Sequence, residues 1–308
     1  MKKLIIWTII LIIIPMITIL TLTPKEKKQE PYKIEKNQKI RVKRKEKEKI
    51  ETITIEKYLI GVIAGEMPIS YEIEALKAQA VAARTYAINK IETNKNKEYD
   101  VIDTTDDQVY KDEKELKEIW KENYEKNKKK ITQAINETST EYITYEGKTI
   151  KAFFFSTSSG KTENCKDVFG ENLPYLVSVS STWDETSPSY LGTITLSKEE
   201  FYKKLDIPYN ENLDIEIERN ETNSINNIKI NKNKIKGTEF RYKLGLKSTN
   251  IEIEEKDGII TIKSKGYGHG VGMSQYGAQE LALKGYKYEE IIKYYYKGTE
   301  IKKYKKSV

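Results

Sequence analysis

The chain has 308 residues, with 54 Lys and Arg against 47 Asp and Glu, a net charge of +7, one His and one Cys. A lone Cys excludes an intrachain disulfide, and one His with one Cys excludes three-His, four-Cys and two-Cys/two-His zinc sites and a two-His metalloprotease helix. The charge excess reads as a solvated surface, or as a preference for an anionic partner such as a membrane or an acidic wall polymer, while no basic helix or aromatic–Gly motif argues for nucleic acid.

Met1-Lys2-Lys3 precedes an apolar run from Leu4 to Leu22, broken only by Thr8, Pro15, Thr18 and Thr21. At 1.5 Å per residue the run spans about 28 Å, close to the hydrocarbon thickness of a bilayer. Residues 1–23 are therefore expected to be an uncleaved single-pass transmembrane anchor, with a cleaved signal peptide as the alternative. A very short N-terminal tail ahead of a large polar remainder places residues after the span on the extracytoplasmic side. Residues 24–49 are charged and poor in apolar side chains. They read as a stalk, or an edge strand around Ile40–Val42, and not as core.

The folded unit is expected over residues 50–308. Residues 50–66 suggest a short strand and then a helical turn. From Tyr71 to Ile91 the period is helical, with Ile73, Leu76, Ala80, Ala83 and Ala87 on one face and Ser70 as N-cap. Its Ala content on several faces predicts a central helix. A second helical stretch is expected at about Lys111–Thr138, its Lys-rich run Lys126–Lys130 reading as a solvated face or a break. A hairpin follows, Tyr142–Tyr145 and Thr149–Phe155 around Glu146-Gly147. Residues 212–236 read as exposed strands, and 238–265 as two or three more with an Asp257-Gly258 turn. Helices at Ser274–Leu283 and Tyr288–Tyr296 close the chain. The predicted class is α+β, a central Ala-rich helix packed with antiparallel sheet.

Four constellations can carry chemistry. Glu66, in Gly65-Glu66-Met67-Pro68, ends a nearly pure apolar run, which would raise its pKa and keep a proton available near neutral pH. The other reading is a loop Glu paired with Arg84 or a Lys. Gln79, Arg84 and Tyr86 are polar groups on the Ala-rich helix, candidates for substrate contacts or, for Arg84, equally for a structural ion pair. Ser156-Thr157-Ser158-Ser159-Gly160-Lys161-Thr162 lacks the first Gly of a phosphate loop, but can offer hydroxyls and N–H groups to a sugar. Cys165 nearby reads as a small buried apolar residue. Last, Gly266 to Gly277 sets His269 among four alternate glycines, which permit close backbone approach, and Ser274 can cap the next helix.

These residues resemble the stage II sporulation protein D family. The likeness runs through YLIGVIAGEMPISYEIEALKAQAVAARTYAI (58–88), DTTDDQVY (103–110), AFFFSTSSGKTENCKDVFG (152–170), PYLVSVSSTWDE (174–185), GTEFRYKLGLKS (237–248) and the GYGHGVGMSQYG block at 266–301. The resemblance implies a peptidoglycan lytic transglycosylase that cleaves the β-1,4 bond between N-acetylmuramic acid and N-acetylglucosamine in strands stripped of stem peptides. It places the catalytic acid on Glu66. It sets Gln108, Tyr110, Ser156, Ser159, Thr162, His269, Ser274 and Gln275 along the groove. Some members bind zinc through His and Cys in the strand–loop block. Here Phe155, Ser156, Ser158 and Lys161 stand there instead, so no metal and no cofactor is expected. Related amidase enhancers share the domain, which leaves a non-catalytic wall-binding scaffold as the alternative. The implied partners are glycan strands and the stage II sporulation proteins P and M. The implied place is the mother-cell membrane facing the forespore, during engulfment.

Overall fold

The computed structural model describes residues 38–304, so the expected anchor at 1–23 lies outside the described residues. Among those described, no helix is long and apolar enough to cross a membrane. The chain opens on a hairpin of β1 (Lys39–Arg44) and β2 (Lys49–Thr54), with β3 (Val101–Ile102) parallel to β1 on its other edge. This corrects the stalk reading over its described part. Ile40, Val42 and Arg44 alternate on one face of β1 and are at most 1% exposed, so they are core. Averaged composition over 24–49 hides that period of two, because the intervening Lys39, Arg41 and Lys43 face outward or sideways.

Thr54 caps α1 (Ile55–Glu66), its hydroxyl accepting from Lys57 N–H at 3.3 Å. The expected helical turn is thus a helix of 12 residues, stopped where Met67 turns extended before Pro68. The central helix α2 (Ile73–Thr93) is buried on almost every side, between α1 and residues 124–137, 141–145, 275–283 and 288–295. Ala makes this possible by letting neighbouring elements approach from several directions. The N-cap is Glu72 and not Ser70; the Glu72 N–H donates to Gln279 Oε1 at 2.6 Å.

The stretch expected as one helix at 111–138 is two. α3 (Glu113–Trp120) starts in an Asp112/Glu115 capping box, and α4 (Tyr124–Glu137) follows a 3-10 turn at Lys121–Asn123, where Lys121 has φ +47°. β4 (Glu141–Tyr145) turns through Glu146-Gly147 into β5 (Lys148–Thr149), and the last strand of the chain lies on the other edge of β4. The second arm stops short of Phe155. Phe154–Phe155 form β6, which pairs parallel with residues 273–274 far along the chain. A short helix α5 (Cys165–Phe169) follows.

Residues 191–262 build a separate apolar core. It contains β7 (Leu191–Ser197), α6 (Lys198–Leu205), the meander β8 (Ile215–Arg219), β9 (Ile225–Ile230), β10 (Asn233–Lys236), then α7 (Gly237–Leu244) and the hairpin β11 (Ile251–Lys256), β12 (Ile259–Lys265). Two expectations change here. The meander is one-sided, because Ile225, Ile228, Ile230 and Ile235 pack against Phe201, Tyr202 and Phe240. Helix α7 stands where the first strand of 238–265 was expected. The Asp257-Gly258 turn is present, with φ +52° and +79°. The chain closes through β13 (Met273–Ser274), α8 (Gln275–Leu283), α9 (Tyr288–Tyr295) and β14 (Glu300–Lys303). Helix plus antiparallel sheet makes the class α+β.

Candidate active site

Glu66 is the last residue of α1, partly buried, and both carboxylate oxygens are held. Val109 N–H donates to Oε1 at 2.6 Å and Gln275 Nε2 donates to Oε2 at 3.3 Å. Burial pushes the carboxyl above its usual pKa, while these two donors pull it back by favouring the anion.

The Val109 donor sits on a loop pinned at nearly every residue. Asp107 accepts from the Tyr86 hydroxyl at 2.6 Å and from Ile102 N–H at 2.8 Å, and pairs with Lys90 at 2.6 Å. Buried Gln108 accepts from the Tyr58 hydroxyl at 3.1 Å. Tyr110 is buried, stacks on Tyr58 at 5.4 Å and lies under the Arg44 guanidinium at 4.8 Å. Arg44 also reaches Asp103, Asp112 and Glu115 at 2.6–3.1 Å. Room for the loop is made on α1: a Cβ at Gly65 would stand 2.6 Å from the Val109 carbonyl oxygen. Behind the acid, Lys130 donates to the carbonyls of Ile69 and Tyr71 at 2.8 and 2.6 Å, so one member of the Lys-rich run fastens the segment after Glu66.

Gln275 is delivered by the glycine block. That ribbon lies against residues 153–163. At Gly272, φ is +82° and a Cβ would stand 2.1 Å from the Phe153 oxygen, so only glycine fits. The ribbon ends at Ser274, which caps α8 by accepting from Gly277 N–H at 3.1 Å. Ser274 also donates to Asp184.

The remaining candidates divide. Ser156 and Ser159 are partly exposed, and the Ser156 carbonyl accepts from Tyr276 N–H at 3.0 Å. Ser159, Lys161 and His269 line a shallow cleft beside Gly266–Gly270. The His269 ring is enclosed by Phe153, Phe155 and Phe169, with centroids 5.3–6.0 Å away. Its Nδ1 accepts from Val271 N–H at 3.1 Å. Burial, then the nearby Arg241 charge, lowers its pKa to about 4, so the imidazole is neutral near pH 7. Arg84 is fully buried and donates to the carbonyls of Ile135, Thr138 and Glu141 at 2.9–3.3 Å, closing the C-terminus of α4 and facing no groove. Thr162 is buried and ties its ribbon to Val179 at 2.9 Å. Gln79 is buried in α2, and neither atom of its amide has a hydrogen-bond partner. Cys165 is buried too, which pushes its thiol up to about 11. Among the described residues, no group of three or more His, Cys, Asp and Glu is placed to share a metal ion.

Sequence reasoning missed Val109, Lys130, Arg44 and Asp184. The one legible sign was Gly61 with Gly65, four apart on α1; both lie against residues 109–111.

A family model described as Stage II sporulation protein matches residues 43–145. The chain is 43% identical over 278 residues to Stage II sporulation protein D of Bacillus amyloliquefaciens, covering 88% of this chain and 81% of that protein. It is 42% identical over 268 residues to Stage II sporulation protein D of Bacillus subtilis (strain 168), covering 85% and 78%. It is also 32% identical over 305 residues to the Amidase enhancer of Bacillus subtilis (strain 168), covering 80% of this chain and 40% of that protein.

Proposed function

We propose, from the premise that the chain belongs to the stage II sporulation protein D family, that it is a peptidoglycan lytic transglycosylase with Glu66 as both acid and base. The observation that supports this reading is the Glu66 carboxyl, partly buried, raised in pKa, and bound by two donors that favour its anion. The carboxyl protonates the glycosidic oxygen as the bond to C1 of N-acetylmuramic acid breaks. The carboxylate left behind is stabilised by Val109 N–H and the Gln275 amide. It then takes the proton of the C6 hydroxyl as that oxygen bonds to C1. The product is a 1,6-anhydro end, and the acid is restored. One carboxyl suffices, where a hydrolysing glycosidase uses two. Membrane attachment through residues 1–23, action during engulfment, and association with stage II sporulation proteins P and M belong to the same proposal.

The test is to incubate the purified full chain with denuded glycan strands and follow anhydro ends by mass spectrometry. Wild type forms them and Glu66→Ala, still folded by circular dichroism, does not. Equal product from both sinks the assignment. The likeness to an Amidase enhancer supports a second reading, a non-catalytic scaffold. Glycan binding with no anhydro ends, together with faster turnover of an added amidase, would select it.

A further inference from the structure

A second carboxyl, Asp184, is tied to the helix turn whose Gln275 reaches the Glu66 carboxylate. Asp184 lies in the 3-10 turn Thr182–Thr186 and is fully buried. It ties two distant segments to its own turn. Ser158 N–H donates to its Oδ1 at 2.8 Å, the Ser274 hydroxyl donates to the same oxygen, and the Ser181 hydroxyl donates to Oδ2 at 2.5 Å. Ser181 Oγ in turn meets the Tyr295 hydroxyl of α9 at 2.8 Å, and Trp183 Nε1–H donates to that phenol at 3.3 Å.

The first turn of α8 rests directly on this cluster. A Cβ at Gly277 would stand 2.0 Å from the Tyr295 oxygen and 2.8 Å from Asp184 Oδ2. Ser274 makes the link directional. Its hydroxyl gives its only proton to Asp184, which leaves its lone pairs for Gly277 N–H. Gln275 is the next residue, and its amide reaches Glu66.

We infer that Asp184 is a positioning residue for Glu66: through Ser274 it sets the first turn of α8 in the register that carries the Gln275 amide to the Glu66 carboxylate. The inference rests on the reading of Glu66 as the acid. A buried carboxylate is a costly way to hold a loop. Burial pushes Asp184 up to about 6, and Glu280 on α8 adds a like charge. Its other titratable neighbours are the phenols of Tyr71, Tyr190 and Tyr295, while the nearby Lys284 lies over the Trp183 ring. A buried carboxylate tied to the residue next to Gln275, whose amide reaches Glu66, is better explained by placement than by stability.

The experiment follows the Glu66 carboxyl by carbon NMR of the ¹³C-glutamate-labelled full chain, its signal assigned by loss in Glu66→Gln, alongside kcat and KM for anhydro-end formation. Asp184→Ala and Ser274→Ala cut the link from its two ends, so either one alone suffices if the other does not fold. Each is expected to raise the Glu66 pKa and to lower kcat roughly tenfold to a hundredfold with KM little changed. Asp184→Asn restores much of both, because its amide oxygen can accept at the Oδ1 position. Adding Gln275→Ala to either variant produces no further rise. An unchanged Glu66 pKa in a folded Ser274→Ala or Asp184→Ala chain overturns the inference, and so does a rise that adds fully to that of Gln275→Ala. A wild type that forms no anhydro ends overturns the functional reading alone, since the titration needs no substrate.

Discussion

Glu66 and Glu163 are the same side chain in opposite surroundings. Glu163 is buried and saturated: Asn220 Nδ2, Thr222 Oγ1 and Ser224 Oγ all donate to it at 2.6–2.7 Å. Three neutral donors from one segment bind residues 220–224 to Glu163, whose own N–H donates to the Gly270 oxygen of the glycine ribbon at 2.7 Å. Glu66 has two donors from segments far apart in sequence and keeps part of its surface open. The contrast teaches that burial alone does not make a general acid. What distinguishes Glu66 is that its two donors come from separate segments, that burial raises its pKa, and that part of its surface stays open to a substrate, as the proposed general acid requires.

The sharpest way to break that contrast is to exchange each carboxyl for its amide. Glu66→Gln is expected to lower the rate of anhydro-end formation by about 10³-fold, the range of a lost general acid, with an unchanged melting temperature. A rate within a factor of ten of wild type would place Glu66 with Glu163. The next effect concerns the donor. Gly65→Ala forces the Val109 loop away from Glu66, and the rate should drop roughly tenfold to a hundredfold. Glu163→Gln should behave in reverse. It sets one amide N–H₂ against donors that have nowhere else to turn, at a cost of about 2 kcal/mol read as a lower denaturation midpoint, with a smaller effect on rate. Loss of rate without loss of stability would contradict the structural role.

The smallest effect is in the pH dependence of stability, where two groups shifted in opposite directions oppose one another. Asp184, raised to about 6, holds its proton more tightly folded than unfolded. Its contribution is full below about 3.8 and is lost as pH rises to about 6. His269, lowered to about 4, contributes above about 6.5 and loses that as pH falls to about 4. Between pH 6 and 4 the two offset each other. Asp184→Asn should therefore lose melting temperature more steeply on acidification than wild type, and His269→Gln less steeply. Parallel profiles for all three proteins would show that neither group is linked to folding.

Much of the first region was legible and much of the second was not, for physical reasons. The central helix announced itself because Ala on several faces has few other uses. Glu66 stood out as a candidate because an acid closing an apolar run is conspicuous. The C-terminal helices followed from Ser274 and from the spacing of Tyr288–Tyr295. The first hairpin was hidden by its charge, since only alternate residues of Lys39–Arg44 are core. Helix α7 was hidden because eight residues hold too few turns to show a period against strand-like neighbours. The Asp184 cluster could not be seen at all. Its parts stand at 158, 181, 184, 274 and 295, and nothing in any one of them points to the others.

The sequence separation of 209 between Glu66 and the Gln275 that binds it has a consequence for the order of folding. Contacts of such long separation close late, after local ones have repaid their entropy. A chain emerging from the ribosome presents Glu66 and the Val109 loop long before α8 exists. Until the last helices dock, the acid lacks one of its two partners. Nascent and truncated chains therefore lack the Gln275 contact to Glu66, which forms only once the C-terminal helices are in place.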